Sequence, residues 1–157
     1  MSEELIYRID TATVSEIADH LRQRDADFLP PLSGRVEIAA YASKLVANAV
    51  RFEAWAAGRL VGLIAVYCND PVGEVAYVSS VSVLKEQAGR GIASTLMSEC
   101  IEHVVHMGMR RIRLEVSLDN ELALRLYERH GFSLVAQEMR GATMELDLIG
   151  RKDRYER

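Results

Sequence analysis

The sequence predicts a mixed α/β fold in which one mostly antiparallel sheet carries helices on both faces. Three observations support this prediction: strand-type patterns recur in seven short stretches, helical apolar stripes recur in four, and tight turns join several strands directly. The chain has 157 residues, which is close to the commonest size of one domain, and such a chain buries roughly two-thirds of its unfolded surface. We therefore expect a single domain over residues 1–150 and a charged tail over residues 151–157.

The first part of the chain predicts one strand and two helices. Residues Leu5 to Ile9 have the pattern of a strand, and Thr13 followed by Glu16 has the spacing of a capping box at a helix start. The pair Pro30–Pro31 then breaks the chain. A second helix is predicted from about residue 36 to residue 49.

Three strands are predicted next, with short turns between them. Residues 50–55 alternate between apolar and larger or charged side chains, so one face of this strand is expected to be buried. Residues 60–68 are almost continuously apolar, as expected of a central strand that is covered on both faces. The third strand spans residues 74–83. Two hairpin-type connections in a row indicate an antiparallel meander.

The last part of the chain begins with a helix that starts near Ile92 and ends at Gly108. A strand over residues 111–116 follows, then a helix that begins at Asp119 or Asn120, and a final hairpin. The predicted order is β-α-α-β-β-β-α-β-α-β-β. The third helix should join two parallel strands by a right-handed crossover.

Composition excludes several classes of protein. The formal net charge is −4, which argues against a protein that mainly binds nucleic acid, because such domains usually carry a strong basic excess. No apolar run approaches the twenty or so residues that span a bilayer. Cys68 and Cys100 are isolated within apolar runs and predict buried thiols in a reduced compartment. We expect a cytoplasmic protein without a bound metal.

A glycine-rich loop precedes the third helix and predicts an anion site. Gly89 and Gly91 allow the backbone to turn tightly with its N–H groups facing one point, and the helix N-terminus adds unpaired N–H groups. This arrangement suits a pyrophosphate. A dinucleotide site of the Rossmann type is disfavoured, because the third small residue would be Ser94 and the loop follows an antiparallel meander. The triphosphate loop is excluded, because no Gly-Lys-Ser/Thr ends the turn.

A second motif lies one strand later. Asn120, Ala123 and Tyr127 lie along one side of a helix, and Gly131–Phe132 follows. With these residues the chain resembles the GNAT family of acyl-CoA N-acyltransferases, whose later helix reads Asn-x-x-Ala-x-x-x-Tyr-x-x-x-Gly-Phe. That pattern is matched in full. The family's cofactor loop, Gln/Arg-x-x-Gly-x-Gly/Ala, is matched except that Ala88 replaces Gln or Arg.

The resemblance implies an acetyl-CoA cofactor and a set of contacts for it. The end of the third long strand resembles the segment that pairs with the pantetheine arm, and the glycine loop resembles the pyrophosphate cradle. Tyr127 resembles the tyrosine that protonates the departing thiolate. The residues with an implied cofactor contact are Val81, Ser82, Val83, Ala88, Gly89, Arg90, Gly91, Ile92, Ala93, Ser94, Asn120, Ala123 and Tyr127.

The implied reaction is acetyl transfer to a primary amine by direct attack. A lysine-type amine has a pKa of about 10.4, so only about one molecule in two thousand is neutral at pH 7. We expect a backbone N–H near Val81 to bind the oxyanion. The sequence does not single out the general base that deprotonates the amine. Tyr77 occupies the position where some relatives carry Glu, and Glu74, Glu53 or Asp70 could act through a water.

The acceptor is not named by the sequence: a small molecule, an amino sugar and a peptide are all compatible with it. Contacts to the acceptor are predicted between and along the first two helices and on the third long strand, at Phe28, Tyr41, Tyr77 and Ser79. The alternative is a catalytically silent acyl-CoA-binding module that regulates a partner. Relatives are often dimers, so a homodimer stays open.

Overall fold

The computed structural model describes residues 3–24, 32–34 and 36–150. Within them the chain forms seven strands and four α-helices in the predicted order. The elements are β1 (Leu5–Ile9), α1 (Val14–Arg24), α2 (Ile38–Asn48), β2 (Val50–Ala56), β3 (Arg59–Tyr67), β4 (Val75–Val83), α3 (Ile92–His106), β5 (Arg111–Ser117), α4 (Glu121–Arg129), β6 (Ser133–Glu138) and β7 (Gly141–Asp147). The predicted fold class is confirmed. The predicted tail at 151–157 and the predicted substrate contact Phe28 lie outside the described residues.

The seven strands form one sheet in the order β1-β2-β3-β4-β5-β7-β6. Every neighbouring pair is antiparallel except β4 and β5, which are parallel. The connection between those two strands is α3, as the sequence predicts, because parallel neighbours need a crossover longer than a tight turn. The parallel pair therefore lies at the centre of the sheet.

The two faces of the sheet carry separate apolar clusters. The larger cluster lies between the sheet and the buried sides of α3 and α4, and includes Phe52, Leu96, Met97 and Ile112. The smaller cluster lies under α1 and α2 on the opposite face, around Leu63. No helix within the described parts of the chain is both long and apolar enough to cross a membrane.

Strand β2 is more deeply buried than its alternation indicates. Every residue of β2 after the first is buried, because α1 and α2 cover the second face. The Glu53 carboxylate accepts hydrogen bonds from the Thr11 and Ala12 N–H groups and from Trp55 Nε1, and Arg51 Nε lies 3.9 Å from it. These partners offset the cost of burying the charge. Glu53 therefore fixes the segment that begins α1.

Candidate active site

The candidate site begins where β4 and β5 separate. The two strands pair in parallel from Val75 to Val78 of β4, whereas β4 continues to Val83 and β5 continues to Ser117. On its other side β4 stays paired with β3 as far as Val83. Residues 79–83, called here the splayed segment, therefore have a neighbouring strand on one side and a cleft on the other.

The register with β3 decides which backbone groups of the splayed segment face the cleft. The Leu84 N–H donates to the Val61 carbonyl at 2.8 Å, and antiparallel ladders alternate hydrogen-bonded with non-hydrogen-bonded pairs. Ser82, two residues before Leu84 in the same register, therefore bonds to β3. Val81 and Val83 direct their N–H and C=O groups toward the cleft instead.

The cleft has a volume of about 650 Å³, which is within the usual range of small-molecule sites. It lies between the splayed segment, the end of β5, α2 and the β6–β7 turn. Its lining brings together residues that the sequence predicts for the cofactor and for the acceptor: Tyr41, Tyr77, Ser79, Val81, Asn120 and Tyr127. The end of β4 and the motif of α4, which are about forty positions apart, therefore meet at one cleft, whereas residues 88–94 are not part of its lining.

The predicted anion cradle lies at the start of α3. Gly91 is the N-cap residue with φ of 73°, and Gly89 has φ of 83°, which glycine adopts without strain. The Thr95 N–H donates to the Gly91 carbonyl at 3.0 Å, so the N–H groups of residues 92–94 have no acceptor within the helix. A Cβ at either glycine would meet no heavy atom within 4 Å. The space and the donors fit a pyrophosphate.

Gly62 on β3 determines how closely the cradle approaches the sheet. A Cβ here would come within 2.6 Å of Ile92 Cγ2 and within 3.3 Å of Leu96 Cδ1. Ile92 is the first residue of α3 and is buried, and Gly62 is opposite Val83 of the splayed segment. The missing side chain thus lets the first turn of α3 rest on β3. Only the packing identifies this glycine, because the sequence shows it as one small residue within an apolar run.

The loop before α3 has backbone N–H groups available for an anion, whereas its charged side chain, Arg90, is bonded within the protein. Arg90 donates through Nη1 to Gln87 Oε1 and through Nη2 to the Glu3 carbonyl, each at 2.6 Å. Ala88 closes a short turn, in which its N–H donates to the Lys85 carbonyl at 3.0 Å. The substitution of Ala for the usual Gln or Arg therefore leaves the backbone donors of the cradle in place.

Asn120 and Ala123 are joined by a helix cap. The Asn120 Oδ1 accepts a hydrogen bond from the Ala123 N–H at 3.2 Å, which makes Asn120, and not Asp119, the N-cap of α4. The cap uses the oxygen of the amide. The NH₂ group is then the donor that the Asn120 side chain can offer to a ligand.

Tyr127 lies in the second half of α4 and lines the cleft. Its ring packs against Phe132 with ring centroids 5.9 Å apart. Burial raises the pKa of Tyr127 to about 12, so the hydroxyl keeps its proton at neutral pH. A hydroxyl in this state can donate a proton but is not a base.

The three carboxylates considered from the sequence have structural partners. Glu53 is enclosed by the hydrogen bonds that begin α1. Asp70 accepts from the N–H groups of Glu74 and Val75 in the β3–β4 turn, and Glu74 lies 3.6 Å from Arg110. Of the described residues that line the cleft, none is one of these three.

Glu115 is a candidate base that the sequence reasoning missed. It lines the cleft together with Asp119, and it is exposed on β5 between the buried residues Leu114 and Val116. The alternation of β5 already placed Glu115 on the side away from the core. The sequence could not show that this side faces a cleft, because that depends on where β4 stops pairing with β5.

The two cysteines are unsuited to nucleophilic catalysis. Burial raises the pKa of the Cys68 thiol to about 11 and raises the pKa of the Cys100 thiol still more. The thiolate is the nucleophilic form. Neither residue therefore offers a covalent route that would compete with direct attack by an amine.

Comparison with known proteins identifies the family. The family model described as "Acetyltransferase (GNAT) family" matches residues 14–132. N-alpha-acetyltransferase 30 of Schizosaccharomyces pombe is 38% identical over 56 residues, which cover 36% of this chain and 37% of that protein. N-alpha-acetyltransferase MAK3 of Arabidopsis thaliana is 35% identical over 82 residues, which cover 52% and 43%. The chain thus spans about two-fifths of the length of each of these relatives.

Solved structures share the fold at lower identity. A GNAT-family acetyltransferase from Streptococcus pneumoniae has a TM-score of 0.73 at 20% identity and covers 92% of this chain and 99% of its own. Arabidopsis thaliana NAA60, solved with a bisubstrate analogue, has a TM-score of 0.74 at 19% identity, with coverage of 92% and 98%. The PaiA N-acetyltransferase of Thermoplasma acidophilum, solved with coenzyme A, has a TM-score of 0.71 at 15% identity, with coverage of 92% and 99%.

The matched residues 14–132 contain the splayed segment, the anion cradle, Asn120 and Tyr127. The family match therefore extends over the central strands, the glycine-rich loop and the motif of α4. With the fold class and the order of elements in agreement, the chain belongs to the GNAT family of acetyltransferases.

Proposed function

We propose that this acetyltransferase transfers the acetyl group of acetyl-CoA to the α-amine of a peptide or protein chain, by direct attack of the amine. The observation that carries the proposal is the cleft, whose lining includes Asn120, Tyr127 and Glu115 together with residues 79–81 of β4. The relatives in Schizosaccharomyces pombe and Arabidopsis thaliana, both named N-alpha-acetyltransferases, support this class of acceptor.

The donor site is formed by backbone groups. Acetyl-CoA is the acyl donor, and when bound it supplies the acetyl group as a thioester. The N–H groups of residues 92–94, with Gly89 and Gly91 in the turn before them, hold the pyrophosphate. The Val81 C=O and the N–H and C=O of Val83 are offered to the amides of the pantetheine arm, in the manner of an added strand.

Two groups act on the reacting thioester. The Val81 N–H donates to the carbonyl oxygen as negative charge develops there, and a donor of this kind is worth about 10²- to 10³-fold in rate. The Tyr127 hydroxyl donates its proton to sulfur as the carbon–sulfur bond breaks. The pKa of a thiol is about 8.5, which is far below the pKa of an alcohol. The departing thiolate therefore needs less help from an acid than an alkoxide would, and the neutral tyrosine hydroxyl is sufficient.

Glu115 accepts the proton that the amine loses, directly or through a water. Its position on β5 faces the open edge of β4 across the cleft. The carbon–nitrogen bond forms as the carbon–sulfur bond breaks, and one proton passes to Glu115 while another leaves Tyr127. The net exchange of protons between these two groups is completed by solvent.

The chemistry of the amine favours an α-amine over a lysine side chain. An α-amino group has a pKa of about 7.7–8.0, so roughly one in ten is neutral at pH 7, against about one in two thousand for lysine. The site then has to remove a proton from a smaller fraction of the bound α-amines than of bound lysine amines. This difference of roughly two hundredfold suits a cleft whose base is an exposed carboxylate on a strand.

The test is acetyl transfer to matched acceptors, measured as thiol release and as mass increase of the acceptor. Peptides with a free N-terminus and no lysine are compared with the same peptides that carry a blocked N-terminus and one lysine. A polyamine and an amino sugar complete the panel. We expect the free N-terminal peptides to give the highest kcat/KM.

Faster acetylation of the blocked lysine peptides, or of the amino sugar, would contradict the choice of acceptor. The Glu115→Gln variant, assayed with the preferred acceptor, is expected to lower kcat by about 10²-fold near pH 7. The loss should shrink at higher pH, where more of the amine is already neutral. A uniform loss across pH would argue that Glu115 is not the base.

A catalytically silent acyl-CoA-binding module remains the alternative. It predicts stabilisation by coenzyme A without thiol release for any amine. A protonated Tyr127 at the cleft favours the enzyme, because coenzyme A binding alone does not need that hydroxyl. A cytoplasmic location, a homodimer, and the absence of nucleic-acid and membrane partners stay predictions from the sequence.

A further inference from the structure

A histidine is buried beneath the splayed segment, on the face that α1 covers. His20 lies on α1 and is 1% exposed. Its Nδ1 lies 2.9 Å from the Leu60 carbonyl on β3, and its Nε2 lies 2.6 Å from Ser82 Oγ on β4. One side chain of α1 therefore connects the two strands that form the wall of the donor site.

The hydrogen bonds define the state of the ring. A carbonyl only accepts, so Nδ1 carries the proton and Nε2 accepts from the Ser82 hydroxyl. Burial lowers the pKa of His20 to about 4, so the ring is neutral at physiological pH. Both ring nitrogens thus have defined partners, and the hydroxyl of Ser82 has a fixed direction.

Ser82 is the residue of β4 through which His20 can hold the edge of the cleft in position. It is opposite Leu63 on β3 and lies between Val81 and Val83, whose N–H and C=O groups face the cleft. The splayed segment has a strand on one side only. The register also shifts at Ala65, which pairs with Ser80 while its neighbour pairs with Val78, so the ladder is interrupted within this stretch.

A second contact supports the other end of the same segment. The Tyr41 hydroxyl on α2 bonds to the side chain and the carbonyl of Ser79, which lies at the register shift. The two helices on this face therefore each make a hydrogen bond to the splayed segment. Packing a helix on a sheet through buried polar groups costs desolvation free energy, which apolar side chains at the same positions would not cost.

We propose that His20 is a positioning residue for the acyl donor, which it serves by holding Ser82 and thereby the backbone groups of Val81 and Val83. The inference rests on the donor site of the proposed function and does not depend on which amine is acetylated. It assigns α1 a role in donor binding in addition to packing. His20 touches neither the donor nor the acceptor in this proposal.

The experiment separates positioning from stability with three variants. Ser82→Ala removes the hydroxyl partner and leaves Nε2 buried and unpaired. The double variant His20→Leu/Ser82→Ala replaces both partners by apolar groups, which can be nearly neutral for stability. Thr13→Ala removes the N-cap of α1, where Glu16 N–H donates to Thr13 Oγ1 at 3.1 Å, and destabilises the same helix by about 1 kcal/mol without contact with β4.

Each variant is measured for melting temperature, for coenzyme A affinity by calorimetry, and for kcat and KM with acetyl-CoA. We expect Ser82→Ala to weaken coenzyme A binding about fivefold, which corresponds to the loss of one ordinary hydrogen bond. The double variant should recover most of the melting temperature and keep the weaker binding. Thr13→Ala should lose stability and keep wild-type affinity and KM.

Wild-type affinity in the double variant would overturn the proposal, as would equal losses of affinity in Thr13→Ala and Ser82→Ala. Calorimetry with coenzyme A needs no acceptor. A failure to acetylate peptides therefore leaves this experiment intact and counts only against the proposed acceptor. Absence of coenzyme A binding by the wild-type protein would contradict the donor site itself.

Discussion

The two halves of β4 differ in composition and in surroundings: residues 75–78 read Val-Ala-Tyr-Val, whereas residues 79–83 read Ser-Ser-Val-Ser-Val. Residues 75–78 pair with β5 on one side, Tyr77 and Val78 also pair with β3 on the other, and the side chains of Ala76 and Val78 contribute to the main core. Residues 80–83 pair with β3 alone, and Ser79 lies at the register shift. The second half offers backbone N–H and C=O groups at a cleft, whereas the first half is paired with β5 on that same side.

This contrast shows how a site can be made without a special side chain. A strand that loses one neighbour exposes a row of polar backbone groups, which in a soluble protein is usually protected. Here the exposed row lies beside the helix N-terminus of α3 and beside Tyr127. In the proposed function this opening is the binding edge for an extended ligand, and hydrogen bonds from α1 and α2 support it.

The largest effect is expected from a variant that removes a reacting group at the splayed segment, the open half of β4. Tyr127→Phe removes the proton donor for sulfur and should lower kcat by about 10²-fold or more. Affinity for coenzyme A should stay within about twofold of wild type, because the ring still packs on Phe132. The measurement is thiol release at saturating acetyl-CoA together with calorimetry.

Tyr7→Phe on β1 is the matched control, since it removes a tyrosine hydroxyl at a position outside the cleft lining. It should leave kcat unchanged. Unaltered turnover in Tyr127→Phe would remove that residue from the mechanism and would favour the silent-module alternative.

The pH dependence of stability tests the support beneath the open half. The pKa of His20 is lowered from 6.5 to about 4, mainly by burial, with Arg24 lowering it further and the Leu60 carbonyl and Glu86 opposing. Between these values the unfolded chain binds a proton that the folded chain does not. The contribution of His20 to the free energy of unfolding is therefore fully present above about pH 6.5. It falls by about 3 kcal/mol as the pH approaches 4.

Chemical denaturation of the wild type and of His20→Leu/Ser82→Ala across this range isolates the contribution of His20, since the other titrating groups are common to both. The difference in the free energy of unfolding should change by about 3 kcal/mol between pH 7 and pH 4. Parallel curves would mean that His20 is not buried in its neutral form.

Gly62→Ala tests the contact between the cradle and the open half. A methyl group would meet Ile92 Cγ2 at 2.6 Å, so the first turn of α3 must shift away from β3. We expect a loss of about 1–3 kcal/mol in stability and about tenfold weaker binding of coenzyme A. Gly34→Ala is the control, because a Cβ there meets no atom within 4 Å. Normal affinity in Gly62→Ala would show that the cradle tolerates the shift.

The smallest effect is expected in the paired half. Ile112→Val on β5, which is opposite Ala76 of β4, removes one methylene from a fully buried side chain. We expect a loss of about 1 kcal/mol in stability and unchanged kcat and KM. A change in acetyl-CoA KM as large as that of Ser82→Ala would remove the distinction between the two halves.

Sequence reasoning succeeded where local rules act on neighbouring residues. The order of strands and helices followed from periodicity, and the start of α4 was narrowed to Asp119 or Asn120, of which the structure identifies Asn120 as the N-cap. It succeeded less well where burial depends on distant parts of the chain. The charged residues Arg51 and Glu53 were read as alternating with a buried face, yet both are buried because the end of α2 and the segment before α1 cover them.

The sequence by itself determined the fold class, the glycine-rich turn at the start of α3 and the family to which the two motifs belong. Those features depend on local backbone preference and on residue spacing. Only the tertiary structure decided that β5 leaves β4 after Val78, that Gly62 admits α3, that Glu115 faces the cleft and that His20 meets Ser82. Each of these joins segments far apart in the chain, and their meeting depends on how the whole sheet packs.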